Sequence, residues 1–279
     1  MNIIDGRSVA SAIKTKVAVD VEELKQSGVN PCLAVILVGE DPASQVYVRN
    51  KKRACDECGI ISKEFILPME AGQEELLNLI YALNWDASVN GILCQLPLPE
   101  GYDEKAIMEA ISPEKDVDCF NSINVGKVMT GEYSFLPCTP AGVIEMLDHY
   151  NIDIAGKTCV VVGRSNIVGK PLSLMLLNRN GTVTTAHSKT KNLAEVCKSA
   201  DILCVAVGKP KFITEEMIKD GAVVIDVGIN RVDGKLCGDV DFENVSKKVS
   251  YITPVPGGCG LTTVAMLMKN TVKAAKMQK

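Results

Sequence analysis

Residues 158–171 read TCVVVGRSNIVGKP, and this stretch decides the fold class. The apolar run Cys159-Val160-Val161-Val162 leads straight into Gly163-Arg164-Ser165-Asn166-Ile167-Val168-Gly169, with Lys170-Pro171 behind it. A short, uninterrupted apolar run suits a strand buried on both faces. Proline fits the first turn of a helix, where its missing N–H costs nothing. The reading is a buried strand that feeds a glycine turn and opens a helix. Such a helix start presents orphan N–H groups and a positive dipole end, which together favour a pyrophosphate. The spacing departs from GxGxxG, because Ser165 takes the place of the second glycine and one residue is inserted. A strand–glycine–helix turn on its own is often only structural, so its neighbours must decide.

Outward from this turn the same alternation continues. Apolar runs at 182–186, 202–207 and 222–227 read as further strands, and a helix from Pro140 to near Tyr150 precedes the series. Upstream, strand-like runs at 32–38, 61–67 and 91–96 alternate with helical patterns around 43–58 and 72–84. A helix near 8–27 comes before them and another at about 103–111 after them. Strands alternating with helices are the signature of βαβ units and parallel sheets. PEKDVD (113–118) breaks the pattern and leads out of the first domain. The last segment, 261–277, is helical and is expected to return to that first domain. The expected fold is therefore α/β: two α/β domains with parallel sheets, the second a Rossmann-type nucleotide-binding domain, and an active-site cleft between them. Residues 1–139 and 261–279 would form the catalytic domain and residues 140–260 the nucleotide domain.

Composition narrows the function. The chain has 279 residues, 47% of them apolar and 23% charged, a balance typical of soluble globular proteins. The N-terminus MNIIDGRSVASAIKTK lacks the continuous apolar core of a signal peptide, so the expected compartment is the cytoplasm. A net charge of −4 and no basic stretch interleaved with aromatics argue against nucleic acid as a partner. No apolar run is long enough for a membrane span. The eleven cysteines are odd in number and mostly sit inside apolar runs, so they read as buried reduced thiols. Cys55 and Cys58 form a CxxC, but no second CxxC exists and the only histidines are His149 and His187, so no metal site is expected.

The end of the second nucleotide-domain strand adds to the case for a dinucleotide. NAD-binding units usually carry an acid there, bonding the ribose 2′-hydroxyl. Here the chain reads His187-Ser188-Lys189-Thr190-Lys191, with no acid. Arg164 and Ser188 supply the cation and hydroxyl that a 2′-phosphate needs, from adjacent strand ends. A solvated rim of loop charges would look the same. With the glycine turn in register, NADP is the favoured cofactor.

In the first half, Tyr47 and Lys51 lie four residues apart and so on one helix face. Gln95 follows a buried apolar run, at the carboxyl end of a strand where open α/β sheets bind ligands. Asp118 closes a polar turn. Each reads alone as structural: a charged helix face, a strand end, a cap.

Several ordered blocks together carry a resemblance: SQVYVRNKKRACDECGI (44–60), GILCQLPLP (91–99), PEKDVD (113–118), PCTPAGV (137–143), GRSNIVGKP (163–171), TTAHSKT (184–190), DVGIN (226–230) and PVPGG with TVAMLM (254–268). Along nearly its whole length the chain resembles the methylenetetrahydrofolate dehydrogenase/cyclohydrolase family. The resemblance implies oxidation of methylenetetrahydrofolate with NADP, then hydrolysis of the methenyl product to 10-formyltetrahydrofolate. It implies that Tyr47 stacks on the folate, Lys51 is the catalytic residue, Gln95 assists it and Asp118 holds the pterin. Leu96, Pro256, Gly257 and Gly258 would complete the folate site. Gly163, Arg164, Ser165, Ser188 and Ile229 would line the NADP site. A homodimer, paired through the nucleotide domain, and tetrahydrofolate derivatives as ligands, polyglutamylated forms included, follow from the same resemblance.

Two departures stand out. The family usually has KDVDG, where this chain has Cys119 after Asp118; cysteine tolerates positive φ poorly, so the backbone there is expected to differ. The family's PVPGGVGPMT has proline where this chain has Leu261, which is expected to loosen a loop contacting folate. Two other readings remain on the residues alone. A shikimate-type NADP dehydrogenase would oxidise an alcohol without any cyclohydrolase activity. A non-catalytic dinucleotide sensor would keep the fold, but intact Lys51, Gln95 and Asp118 weigh against it.

Overall fold

The computed structural model describes residues 1–279. The chain begins with a short strand, β1 (Asn2–Ile3), and a long helix, α1 (Gly6–Gln26). The apolar run CLAVILV becomes β2 (Cys32–Val38), buried at every position. Helix α2 (Pro42–Cys58) starts where the Asp41 carboxylate accepts the Ser44 N–H. It ends at Gly59, whose φ of 74° suits a residue without Cβ. There follow β3 (Ile61–Leu67), α3 (Gly72–Trp85), β4 (Gly91–Cys94), α4 (Glu104–Ala110), α5 (Ser122–Thr130) and α6 (Cys138–His149). The second series runs β5 (Thr158–Val162), α7 (Gly169–Asn178), β6 (Thr182–Ala186), α8 (Leu193–Lys198), β7 (Ile202–Val205) and β8 (Val223–Asp226). A hairpin of β9 (Asn230–Val232) and β10 (Lys235–Cys237), a short α9 (Phe242–Val245), β11 (Tyr251–Ile252) and the long α10 (Cys259–Met277) complete it.

These elements form two compact units. One, Ser11–Cys138 with Val264–Lys279, holds a three-stranded parallel sheet in the order β3-β2-β4. Its core gathers Ala34, Ile36, Leu76, Ile80, Ile92 and Ile107; each large aliphatic side chain buried there contributes ~1.5–3 kcal/mol. Residues 115–117 run beside β4, where the Ile92 N–H donates to the Lys115 carbonyl at 2.8 Å and Ile92 bridges Asp116. That bridge brings Asp118 to the same sheet end as Gln95.

The other unit, Met1–Ala10 with Thr139–Thr263, is a six-stranded parallel sheet in the order β1-β11-β8-β7-β5-β6. Its core includes Val160, Val162, Leu203, Val205, Val224 and Ile252. The sequence reading placed residues 1–139 in the first domain. In the structure Met1–Ala10 belongs with the nucleotide unit instead, because Asn2 and Ile3 pair with Tyr251 and Ile252 at the sheet edge. A strand of two residues has no periodicity to read, so this pairing left no trace in the pattern.

Other differences have similar causes. Helix α5 and the β9–β10 hairpin, each nine residues or fewer, were not expected. Strand β6, expected to be buried on both faces, is the edge of its sheet, and most of its residues are open to solvent. All eleven cysteines are free thiols, and ten of them are buried, Cys237 being partly exposed. No helix is long and apolar enough to cross a membrane.

Candidate active site

Helix α2 and the end of β4 bring two polar side chains together in the smaller sheet's unit. Lys51 Nζ donates to Gln95 Oε1 at 2.7 Å. Gln95 is held at both ends. Its backbone N–H donates to the Ile36 carbonyl at 2.8 Å, and its side-chain Nε2 donates to the Leu96 carbonyl at 2.6 Å. The amide nitrogen being occupied, the oxygen is the atom presented to Lys51. Burial pushes the Lys51 amine below its ordinary value, while Asp118, Cys138 and Cys94 pull it back up. Asp118 answers in kind: burial raises its carboxyl, the Lys51 charge lowers it and so does a hydrogen bond with Cys138. The site thus holds an amine and a carboxyl that feel each other's charge in a poorly hydrated place, the environment that moves an amine toward usefulness as a base.

Tyr47 sits one turn earlier on α2, 39% exposed. Its ring is open for stacking. Leu96 is half-buried beside Gln95. Pro256, Gly257 and Gly258 lie in the other unit, where the Gly6 N–H donates to the Gly257 carbonyl at 2.9 Å.

The turn after Asp118 resolves the first departure. Asp116 accepts N–H groups from Phe120 at 3.1 Å and Asn121 at 2.9 Å, and the Asn124 amide at 2.8 Å. These bonds keep the turn closed, and Cys119 adopts φ 61° within it. The side chain is fully buried, with its thiol against the Phe135 carbonyl at 3.5 Å. A left-handed residue with a Cβ costs roughly 1–2 kcal/mol. Glycine at 119 would relieve that strain but lose the buried sulfur, whereas alanine would lose the sulfur and keep the strain. We therefore expect Cys119→Gly to unfold in urea within about 1 kcal/mol of the parent and Cys119→Ala to be less stable than Cys119→Gly, reversing the usual order of the two residues. The opposite order would mean that position 119 carries no strain.

The second departure resolves differently. Residue 261 is in the first turn of α10 rather than in a loop, and the Leu261 N–H donates to the Gly258 carbonyl at 3.2 Å. Losing proline there adds a donor that the helix start can use.

In the nucleotide unit the glycines are required by close backbone approach. A Cβ on Gly163 would lie 2.3 Å from the Ala206 oxygen, and one on Gly169 would lie 2.2 Å from the Gly163 oxygen. The turn doubles back on itself, and Ser165 Oγ accepts the N–H groups of Val168 at 3.2 Å and Gly169 at 3.3 Å. The serine in the second glycine's place therefore caps helix α7 and satisfies two of its orphan donors. Strands β5 and β6 pair with Val162 opposite Ala186. Arg164 and Ser188, each two residues beyond, thus leave neighbouring strand ends, and both are exposed. Ser188 sits in a tight turn in which the His187 N–H donates to Thr190 Oγ1 at 2.8 Å. Ile229 is exposed on the loop after β8.

Two aspartates that the sequence reading did not single out hold these loops. Asp239, fully buried, accepts N–H groups from Val207 at 2.6 Å, Gly208 at 2.9 Å and Lys209 at 2.8 Å, and the Asn230 amide at 2.9 Å. Asp226 accepts from Gly228, Asp239 and Val240 at 2.9–3.0 Å. Gly228 has no room for a Cβ, which would lie 2.1 Å from the Asp239 carboxyl carbon. The loops after β7 and β8 are thereby locked together around Ile229. The glycine in DVGIN was the available clue; Asp239 reads in sequence like any loop acid.

Comparison with known proteins agrees with both halves. Residues 4–118 match the tetrahydrofolate dehydrogenase/cyclohydrolase catalytic domain, and residues 137–279 match its NAD(P)-binding domain. The bifunctional protein FolD of Agathobacter rectalis is 59% identical over 276 residues, 99% of each chain. The crystal structure of bifunctional FolD from Campylobacter jejuni shares 51% identity and superposes with a TM-score of 0.98 over all of both chains. The Trypanosoma brucei methylenetetrahydrofolate dehydrogenase-cyclohydrolase, solved with NADP and an inhibitor, shares 40% identity at a TM-score of 0.94, covering 99% of this chain and 97% of that one. The chain belongs to the tetrahydrofolate dehydrogenase/cyclohydrolase family.

Proposed function

We propose that this protein oxidises 5,10-methylenetetrahydrofolate to 5,10-methenyltetrahydrofolate with NADP, then hydrolyses the product to 10-formyltetrahydrofolate, with Lys51 as the proton-transfer group of the second step. The observation that carries the assignment is the 2.7 Å contact of the half-buried Lys51 amine with a Gln95 amide that is itself fixed at both ends.

The two steps ask different things of the chain. In the oxidation, two nitrogens flank the reacting carbon, and their lone pairs stabilise the cation that forms. NADP, when bound, accepts the hydride. No strong base is needed, only accurate placement of the substrate. In the hydrolysis, water adds to the cationic carbon and must lose a proton, and a carbon–nitrogen bond then breaks as that nitrogen is protonated. A neutral Lys51 amine takes the proton from the water and returns it to the leaving nitrogen, and the remaining hydroxyl proton departs to solvent as the formyl carbonyl forms. Gln95 orients the amine without adding charge. Asp118 accepts the donor edge of the aminopterin ring, Tyr47 offers its exposed face, and Leu96 adds to the folate contacts.

The nucleotide residues fit NADP. The Gly163 turn at the end of β5 packs directly on the Ala206 backbone, and no acid stands at the end of β6 to repel a 2′-phosphate. Arg164 and Ser188 would hold that phosphate; Gly163, Ser165 and Ile229 would line the rest. Arg164→Ala is expected to weaken NADP by ~1–3 kcal/mol, one charge-assisted contact. Turnover with NAD should change much less, and equal losses with both cofactors would remove Arg164 from phosphate recognition.

The direct test follows methenyl absorbance with NADP and NAD in parallel. No turnover of methylenetetrahydrofolate would overturn the reading in favour of an alcohol dehydrogenase or a sensor. The proposal extends to a cytoplasmic homodimer paired through the nucleotide unit and to polyglutamylated folates as substrates. Light scattering should then give twice the 30.0 kDa chain mass.

A further inference from the structure

Asn270 lies in α10 and is buried, 5% exposed. Its amide nitrogen donates to the Val117 carbonyl at 2.8 Å and the Leu136 carbonyl at 2.9 Å, and it lies 3.6 Å from Cys138 Sγ. Val117 immediately precedes Asp118, while Leu136 and Cys138 flank the entry to α6. The Cys138 thiol donates to the Val117 carbonyl at 3.4 Å, and its proton affinity is raised by the neighbouring Asp118 carboxyl. One amide therefore joins two segments distant in sequence, and both segments supply a group to the site. A helix position facing a core is ordinarily apolar, and a buried amide there needs partners for its donors. Both N–H groups of Asn270 find backbone carbonyls.

The groups around the site show what this join controls. Lys51 is faced by Asp118, Cys138 and Cys94; Asp118 is faced by Lys51, Cys138, Asp116 and Cys119. Burial pushes all three thiols up, so none offers a ready negative charge. Asp116 is taken up by Phe120, Asn121 and Asn124. Asp118 is thus the carboxylate whose attraction acts on the lysine. Coulomb attraction falls as the inverse of distance, so any displacement of Asp118 away from Lys51 weakens it.

We infer that Asn270 is a positioning residue that, through the Val117 and Leu136 carbonyls and the Cys138 thiol, sets Asp118 against Lys51. The inference rests on the proposed roles of Lys51 as base and Asp118 as pterin anchor.

The test uses the full-length enzyme and four variants: Asn270→Ala, Cys138→Ala, Cys138→Ser and Lys51→Met. The readouts are the pH profile of methenyltetrahydrofolate hydrolysis, the folate KM of both reactions and NADP affinity. With Asp118 released, the lysine proton is held less tightly. In Asn270→Ala the acid limb of the profile should move to lower pH by about half to one unit, part of the effect of a nearby opposite charge. The folate KM should rise ~10-fold in both reactions, the loss of about one well-made contact, with NADP affinity unchanged. Cys138→Ala should shift in the same direction, and Cys138→Ser, which keeps a donor, should restore the parental profile. An Asn270→Ala enzyme that is merely less stable, with parental profile and KM, overturns the inference. If that variant does not fold, the cysteine pair decides: parental behaviour in both Cys138→Ala and Cys138→Ser overturns it equally. Failure of the underlying reading is visible separately. A Lys51→Met enzyme hydrolysing at the parental rate removes the base assignment and the inference with it. An inactive Lys51→Met beside a parental Asn270→Ala removes the inference alone.

Discussion

Lys51→Met should lose cyclohydrolase activity by ~10²–10⁴-fold, the usual scale for a positioned general base, while still oxidising methylenetetrahydrofolate at a measurable rate. Methionine keeps the length and apolar packing of the lysine stem, so the change isolates the amine. Water addition needs a proton acceptor; hydride departure, driven by nitrogen lone pairs, does not. The methenyl intermediate should therefore accumulate, and its absorbance should rise to a plateau instead of decaying. Unchanged hydrolysis would refute the role of Lys51 as the base. Loss of both activities in a folded variant would instead make Lys51 a substrate-binding residue common to both steps. Gln95 variants should slow the hydrolysis too, because the amide that orients the amine is lost.

The pH dependence of the parent follows from the same residue. The neutral amine is the base, so hydrolysis should rise with pH as Lys51 loses its proton and then level off. Burial lowers the proton affinity of the amine, so the plateau should begin below the pH at which an ordinary lysine titrates. Lys51→Met should abolish this limb. If the limb survives in Lys51→Met, another group titrates it.

Much of this site was legible in the sequence because it hangs on strongly patterned elements. Strand β2 was readable to the residue, since CLAVILV has no polar position. Helix α2 was readable as a pattern around 43–58, and the structure bounds it with Asp41 and Pro42 at its start and Gly59 at its end. Lys51 and Gln95 could then be placed on a helix face and a strand end. Their contact could not, because it depends on the parallel register of β2 and β4, which no local pattern encodes. The anchoring of Asp118 was less legible still. It depends on a single bridge between Ile92 and Asp116 and on an amide in α10, which contacts residues 134 and 153 positions away. Asp239 shows the same limit, since its four donors come from the loop after β7 and the start of β9, which sequence alone does not join. At Cys119 only the dislike of cysteine for positive φ could be read; the bonds gathered by Asp116 that close the turn at φ 61° could not.

Asp118→Ala should depress both reactions together, and here the expected loss falls on folate rather than on NADP. An aminopterin edge offers parallel N–H donors that a carboxylate can accept in pairs, and no neighbouring group can replace it. Cys138 and Lys51 are donors themselves, and Asp116 already accepts from three partners. Each bond to a charged acceptor is worth ~1.5–3 kcal/mol, so losing two should lower kcat/KM by roughly 10²–10⁴-fold in each reaction. The change also removes the opposite charge nearest Lys51, leaving burial to act on the amine unopposed. Residual hydrolysis in Asp118→Ala should therefore have its acid limb at lower pH than the parent, even as its rate collapses. NADP affinity, measured by fluorescence titration, should stay at the parental value, because Arg164 and Ser188 are unchanged. Unaltered folate affinity in Asp118→Ala would return Asp118 to the role of a structural turn. An acid limb that does not move would show that its charge never reached Lys51.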